Sequence, residues 1–90
     1  MAEVVDNRAL SRFELVEEGE LAFADYQRHQ GRLVLPHVEA APALRGTGAA
    51  GRLMEGVLAA ARREGLKVTP LCSYAAAYIR RHREHHDLLA

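Results

Sequence analysis

The stretch Arg45-Gly46-Thr47-Gly48-Ala49-Ala50-Gly51 constrains this chain more than any other. It stands between an extended apolar segment and the best amphipathic helix in the sequence. Ala50, Leu53, Met54, Val57, Leu58 and Ala61 recur at helical spacing and form one apolar stripe, with Arg52, Glu55, Arg62 and Arg63 off it. Gly65 supplies a C-terminal stop, so the helix spans 49–64. Its first turn must leave N–H groups without helical partners. Those donors and the positive end of the helix dipole favour a phosphate, and glycine lets the backbone approach one closely. A glycine-rich helix entry that binds nothing is the alternative.

The remaining segments read as strands and one further helix. Residues 12–17 alternate about Phe13 and Leu15, Glu18-Gly19-Glu20 suits a reversal, and 21–26 place Leu21, Phe23 and Asp25 opposite Ala22, Ala24 and Tyr26. This predicts an antiparallel hairpin, although 21–26 also fits a short helix. After the turn signal His29-Gln30-Gly31-Arg32 comes a third strand, Leu33-Val34-Leu35-Pro36-His37-Val38-Glu39. Pro36 has no N–H for a ladder, so the strand must be unpaired or bulged there, and an open edge can bind an extended ligand. Lys67–Cys72 reads as a short fourth strand, with Ser73 capping a helix over 74–82. Residues 1–11, including Asp6-Asn7-Arg8, read as a frayed lead-in, and 87–90 as a tail.

Ninety residues predict one domain, 1–90, of α/β (α+β) class, with an antiparallel-dominated sheet packed on the 49–64 helix. Twelve basic residues balance twelve acidic ones, which argues against a chain built around nucleic acid or an anionic membrane. No apolar run approaches the ~20 residues that span a bilayer. The first residues do not read as a secretory leader. One cysteine, Cys72, rules out an intrachain disulfide framework and fits a reducing compartment, so a cytoplasmic location is expected.

Gly46-Thr47-Gly48-Ala49-Ala50-Gly51 matches the G-x-G-x-x-G dinucleotide fingerprint. That reading also requires an acidic residue about 20 positions on to hold a ribose, where this chain has Leu71 and Cys72. The hairpin-first order disfavours it further. A second pattern fits better. Arg45-x-x-Gly48-x-Ala50 resembles the arginine/glutamine-x-x-glycine-x-glycine/alanine signature of the GNAT superfamily of acyl-CoA-dependent N-acyltransferases. Most of residues 12–88 is more specifically similar to its small Yjdj-type branch. The likeness rests on Leu35-Pro36-His37-Val38-Glu39, on Arg45–Ala50, and on Pro70-Leu71-Cys72-Ser73-Tyr74 followed by Tyr78 and His82. Val38 departs from it, standing where threonine is expected.

The resemblance implies an acetyl-CoA-dependent N-acetyltransferase, with acetyl-CoA as co-substrate, an amine acceptor such as a peptide or protein amine, and no metal. Val38, Glu39 and Ala40 would pair with the pantetheine arm. Arg45, Gly46, Thr47, Gly48, Ala49 and Ala50 would hold the pyrophosphate, with Tyr78 beside the coenzyme. His37 or Glu39, which alternation places on one strand face, is a candidate base. A histidine bonded to backbone is the plain alternative. Cys72, just before a helix, is a candidate acetyl acceptor or simply a small buried hydrophobe. Tyr78, four residues from Tyr74 and so on its face, is a candidate acid for the departing thiolate, against aromatic packing. His82, His85 and His86 lack the partners expected of a zinc site. A non-catalytic coenzyme A-binding module is the competing function.

Overall fold

A computed structural model of the chain describes residues 3–90. Five strands form one sheet in sequence order: β1 (Val5–Asn7), β2 (Arg12–Glu17), β3 (Glu20–His29), β4 (Arg32–Ala40) and β5 (Lys67–Pro70). The first four pair antiparallel, and β5 joins β4 in parallel after a crossover through helix α1 (Ala49–Glu64). Helix α2 (Ser73–Arg81) follows β5, and a 3-10 stretch over Arg83–Leu88 closes the chain. The antiparallel-dominated α+β sheet is as expected from the sequence, and 21–26 is strand rather than helix. The β2–β3 and β3–β4 hairpins turn through two residues of positive φ, Glu18-Gly19 and Gln30-Gly31. Such turns match the right-handed strand twist.

The sheet buries one face. Phe13, Leu15, Ala22, Ala24, Tyr26, Leu33, Leu35 and Val68 point inward. Against them lie Leu53, Met54, Val57, Leu58 and Ala61 of α1, with Ala75 and Ile79 of α2. Each large apolar side chain so enclosed contributes about 1.5–3 kcal/mol. The small residues Ala22 and Ala24, rather than their neighbours Leu21 and Phe23, face the helix on β3. The opposite sheet face has no helix over it among the described residues, and that leaves the β4 side chains on it accessible.

Of the expected lead-in 1–11, residues 1–2 lie outside the described residues, and Val5–Asn7 form a strand rather than fraying. Val5–Asn7 pair with Arg12–Glu14, and Gly56 leaves the room in which Val4 lies against α1. The cause is a charge cluster invisible to local pattern. Arg28 donates to Asp6 at 2.9 Å and to both oxygens of Glu64 at 2.9 and 2.8 Å, while the Tyr26 hydroxyl donates to Asp6 at 2.6 Å. At the other terminus Leu88 is buried, Leu89 bridges Val68, and Lys67 Nζ donates to the Asp87 carbonyl at 2.6 Å. Ser73 does not cap α2: Cys72 holds the cap position, and its side chain makes no capping bond.

Burial works against ionisation of Asp6, but the Tyr26 hydroxyl and Arg28 hold its carboxyl below the ordinary 3.8, and the Arg28 bond lowers Glu64 below 4.5. Depressed carboxylates stabilise the fold above their ordinary range, and that contribution disappears as pH falls through the folded values. Arg28→Met is therefore expected to cost about 2 kcal/mol at neutral pH. Melting curves from neutral to acid pH should show the gap to wild type closing below the ordinary carboxylate range.

Candidate functional site

The two prolines mark a fork in the sheet. Strands β4 and β5 pair only over Arg32–Leu35 and Lys67–Pro70. The N–H groups of Leu71 and Cys72 then both donate to the Leu35 carbonyl at 3.0 Å, and the chain turns away into α2. β4 runs on alone to Ala40. On its other side the register shifts from Gln27↔Val34 to Asp25↔His37, so Leu35 and Pro36 together oppose Tyr26. This is a bulge, and Pro36 occupies it without costing a ladder bond.

The bulge changes which way β4 points its groups. The Ala41 N–H donates to the Leu21 carbonyl at 2.9 Å, so the hydrogen-bonded pairs with β3 fall at His37 and Glu39. The N–H groups of Val38 and Ala40 consequently turn to the side that β5 has left. Side chains shift phase as well. The inward positions pass from Leu33 and Leu35 to the half-buried Val38 and Ala40, while His37 and Glu39 stand on the uncovered face.

The glycine turn lies across the gap from these groups. Gly48 caps α1 at φ +86°, a left-handed conformation that suits glycine. The Thr47 hydroxyl donates to the Leu44 carbonyl at 2.6 Å and accepts the Ala49 N–H at 3.2 Å. Among the described residues the N–H groups of Gly48, Ala50 and Gly51 have no protein acceptor, and no acidic side chain lies in the first helical turn. The positive end of α1 is thus uncompensated. Val38, Glu39, Ala40, Arg45, Ala50 and Tyr74 line a cleft of about 240 Å³ between strand, turn and α2. Arg45 has no carboxylate partner among the described residues. A larger cavity, about 340 Å³, lies beyond the turn against Glu17, Glu18 and Glu20. Three carboxylates against Arg52 make that one hostile to an anion, whereas the smaller cleft sets Arg45 against the one carboxylate of Glu39.

Five of the residues singled out for the coenzyme, Val38, Glu39, Ala40, Arg45 and Ala50, line that one cleft, with Gly46, Thr47, Gly48 and Ala49 forming its turn. His37 Nε2 and Glu39 Oε1 are 3.0 Å apart on the uncovered face, and the His37 ring centroid is 6.0 Å from that of Phe23. Cys72 is half-buried where the strands part. Tyr78 does not line the cleft but adjoins it, with its ring 3.5 Å from where a Cβ on Gly51 would stand and 6.3 Å from the Tyr74 ring. Its hydroxyl donates to Glu55 of α1, and burial together with that carboxylate raises its pKa. His85 reaches the same carboxylate at 3.0 Å, and the His82 ring stacks on Tyr78 with centroids 4.0 Å apart. His86 Nε2 lies 3.2 Å from the Arg80 carbonyl, so all three imidazoles have protein partners. The tyrosine on the cleft is Tyr74, whose pKa burial raises while Arg81 opposes the shift. Sequence spacing puts both tyrosines on one helix face and cannot tell which hydroxyl meets Glu55. It also gives no sign that Arg52, drawn as a solvent-facing residue, bonds to Glu17.

Strands β4 and β5 of a mixed sheet thus part, and a glycine-rich helix entry faces the gap between them. The sequence profile of the GCN5-related N-acetyltransferase family matches residues 12–88. The chain belongs to that family. Its fold is shared with a GCN5-like protein of Staphylococcus aureus known from an NMR solution structure, at a TM-score of 0.76 and 22% identity. That likeness covers 98% of this chain and 87% of the other. No curated protein matches in sequence. No helix among the described residues is long and apolar enough to cross a membrane.

Proposed function

We propose that the protein is an acetyl-CoA-dependent N-acetyltransferase acting on an amine acceptor. One observation carries this reading: Val38 and Ala40, whose N–H groups face away from β3, line one cleft with Arg45 and with Ala50 of the unpartnered α1 entry. The N–H groups of Gly48, Ala50 and Gly51, with Arg45, would hold the pyrophosphate. Val38 and Ala40 supply a strand edge for the amide-bearing pantetheine arm. Their fixed N–H dipoles would meet the thioester oxygen as negative charge builds on it. His37, paired with Glu39, would take the proton from the acceptor ammonium, leaving a lone pair to form the new C–N bond as the C–S bond breaks. Tyr74 would give its proton to the departing thiolate. General acid–base groups of this kind contribute ~10²–10⁴-fold each. Among the described residues the uncovered sheet face has no enclosing wall, which suits an amine on an extended chain, such as an exposed lysine or a peptide terminus.

Calorimetry with coenzyme A and acetyl-CoA, then a transfer assay over an amine panel, tests this. Binding with turnover is expected. Binding without turnover would favour the module reading, which that same wall-less face supports. The position of Cys72 at the fork supports a second route through an acetyl-cysteine, but among the described residues no base is hydrogen-bonded to its thiol. Cys72→Ala is accordingly expected to keep turnover within about threefold of wild type, being near neutral on the ~10²–10⁴-fold scale of a catalytic group. Lost turnover, with an acetyl adduct on wild-type Cys72 by mass spectrometry, would instead establish the covalent route.

A further inference from the structure

The Arg52 side chain, two helical positions past the cleft, makes three hydrogen bonds. Nε and Nη2 each donate to one carboxylate oxygen of Glu17 at 2.7 Å, and Nη2 also donates to the Thr47 carbonyl at 3.1 Å. Glu17 closes β2 at its turn with β3, so the guanidinium joins the rigid hairpin to the glycine turn. Its fork geometry allows this, since a planar guanidinium can grip a carboxylate with two donors and still reach a third acceptor.

The consequence lies in the peptide it grips. Thr47 C=O and Gly48 N–H belong to one trans peptide unit and must point in opposite directions. Holding the carbonyl toward the Arg52 guanidinium turns the Gly48 N–H away from it. The Thr47 hydroxyl bonds restrain the flanks of this peptide but not its own C=O and N–H, which compensating changes in neighbouring φ and ψ could still rotate without moving the helix. A Cβ at Gly48 would sit 3.0 Å from Arg52 Nη1, so the guanidinium also packs against the turn from outside.

We infer that Arg52 and Glu17 form a tether that orients the Gly48 peptide for a pyrophosphate, making Arg52 a positioning residue for coenzyme A rather than a ligand of it. The inference rests on the coenzyme reading above. It separates the coenzyme into two parts: the pyrophosphate feels the tether, and the pantetheine arm on β4 does not.

The test uses the full chain and two probes, coenzyme A and pantetheine, which lacks the pyrophosphate. Arg52→Gln is expected to weaken coenzyme A about tenfold, with pantetheine affinity and melting temperature near wild type; that is the loss of roughly one oriented charge-region donor. Glu17→Gln should reproduce the loss, and the double variant should be no weaker than Arg52→Gln, since both changes break one unit. Unchanged coenzyme A affinity in Arg52→Gln overturns the tether alone. Equal weakening of both probes with a lower melting temperature overturns it too, showing a merely structural ion pair. A wild-type protein that ignores coenzyme A overturns the coenzyme reading itself, and the tether's purpose with it.

Discussion

Gly48→Leu is expected to raise the dissociation constant for coenzyme A by at least about 100-fold, equivalent to roughly 2.7 kcal/mol, while the protein remains folded. Two effects combine. A branched residue at φ +86° costs about 1–2 kcal/mol in its own backbone, which the turn can relieve only by rotating the peptides that carry the donors. The new side chain must also displace the Arg52 guanidinium, 3.0 Å from its Cβ. Neither effect reaches the buried stripe of α1, so the far-ultraviolet spectrum should match wild type. Calorimetry checks the affinity, and retained binding would refute the phosphate cradle.

Tyr74→Phe is expected to lower kcat by about 10²-fold with little change in KM for acetyl-CoA, the pattern for a group that acts only as charge appears on the leaving sulfur. The ring stays on the cleft wall, so coenzyme packing is kept and only the proton donor is removed. Tyr78→Phe provides the contrast. Its hydroxyl serves Glu55, whose carboxyl burial would push up but which Tyr78 and His85 together hold below the ordinary range. That variant should alter stability more than turnover. Steady-state kinetics of the two side by side decide between the tyrosines; a large kcat loss in Tyr78→Phe alone would reverse their roles.

What the sequence reveals depends on how local each signal is. Helix α1 is legible to its ends because periodicity, the glycine entry and Gly65 all lie within or beside it. Pro36 likewise announces a break in β4, and a bulge stands there. Strand β1 is illegible because its order depends on Arg28 and Glu64, more than twenty residues away in sequence. Residues 88–90 dock on β5 through Val68, again a long-range match. The candidate site divides the same way. Its turn and strand residues follow from local motif, whereas the roles of Tyr74, Tyr78 and Arg52 depend on partners contributed by other elements.

The fork also bears on what this domain avoids. A strand edge with free N–H groups invites any extended chain, including its own β5 or the same edge of another copy. Pro70 ends β5 at the point of parting and Pro36 follows Leu35 on β4, so each strand lacks a donor where a closing zipper would have to start. The extra residue in the bulge then puts the rest of β4 out of phase with any continuation of the paired segment. The gap is therefore guarded against repair from within and against propagation between molecules. A partner that carries its own amides without needing a strand's regular repeat, as a pantetheine arm does, escapes both guards.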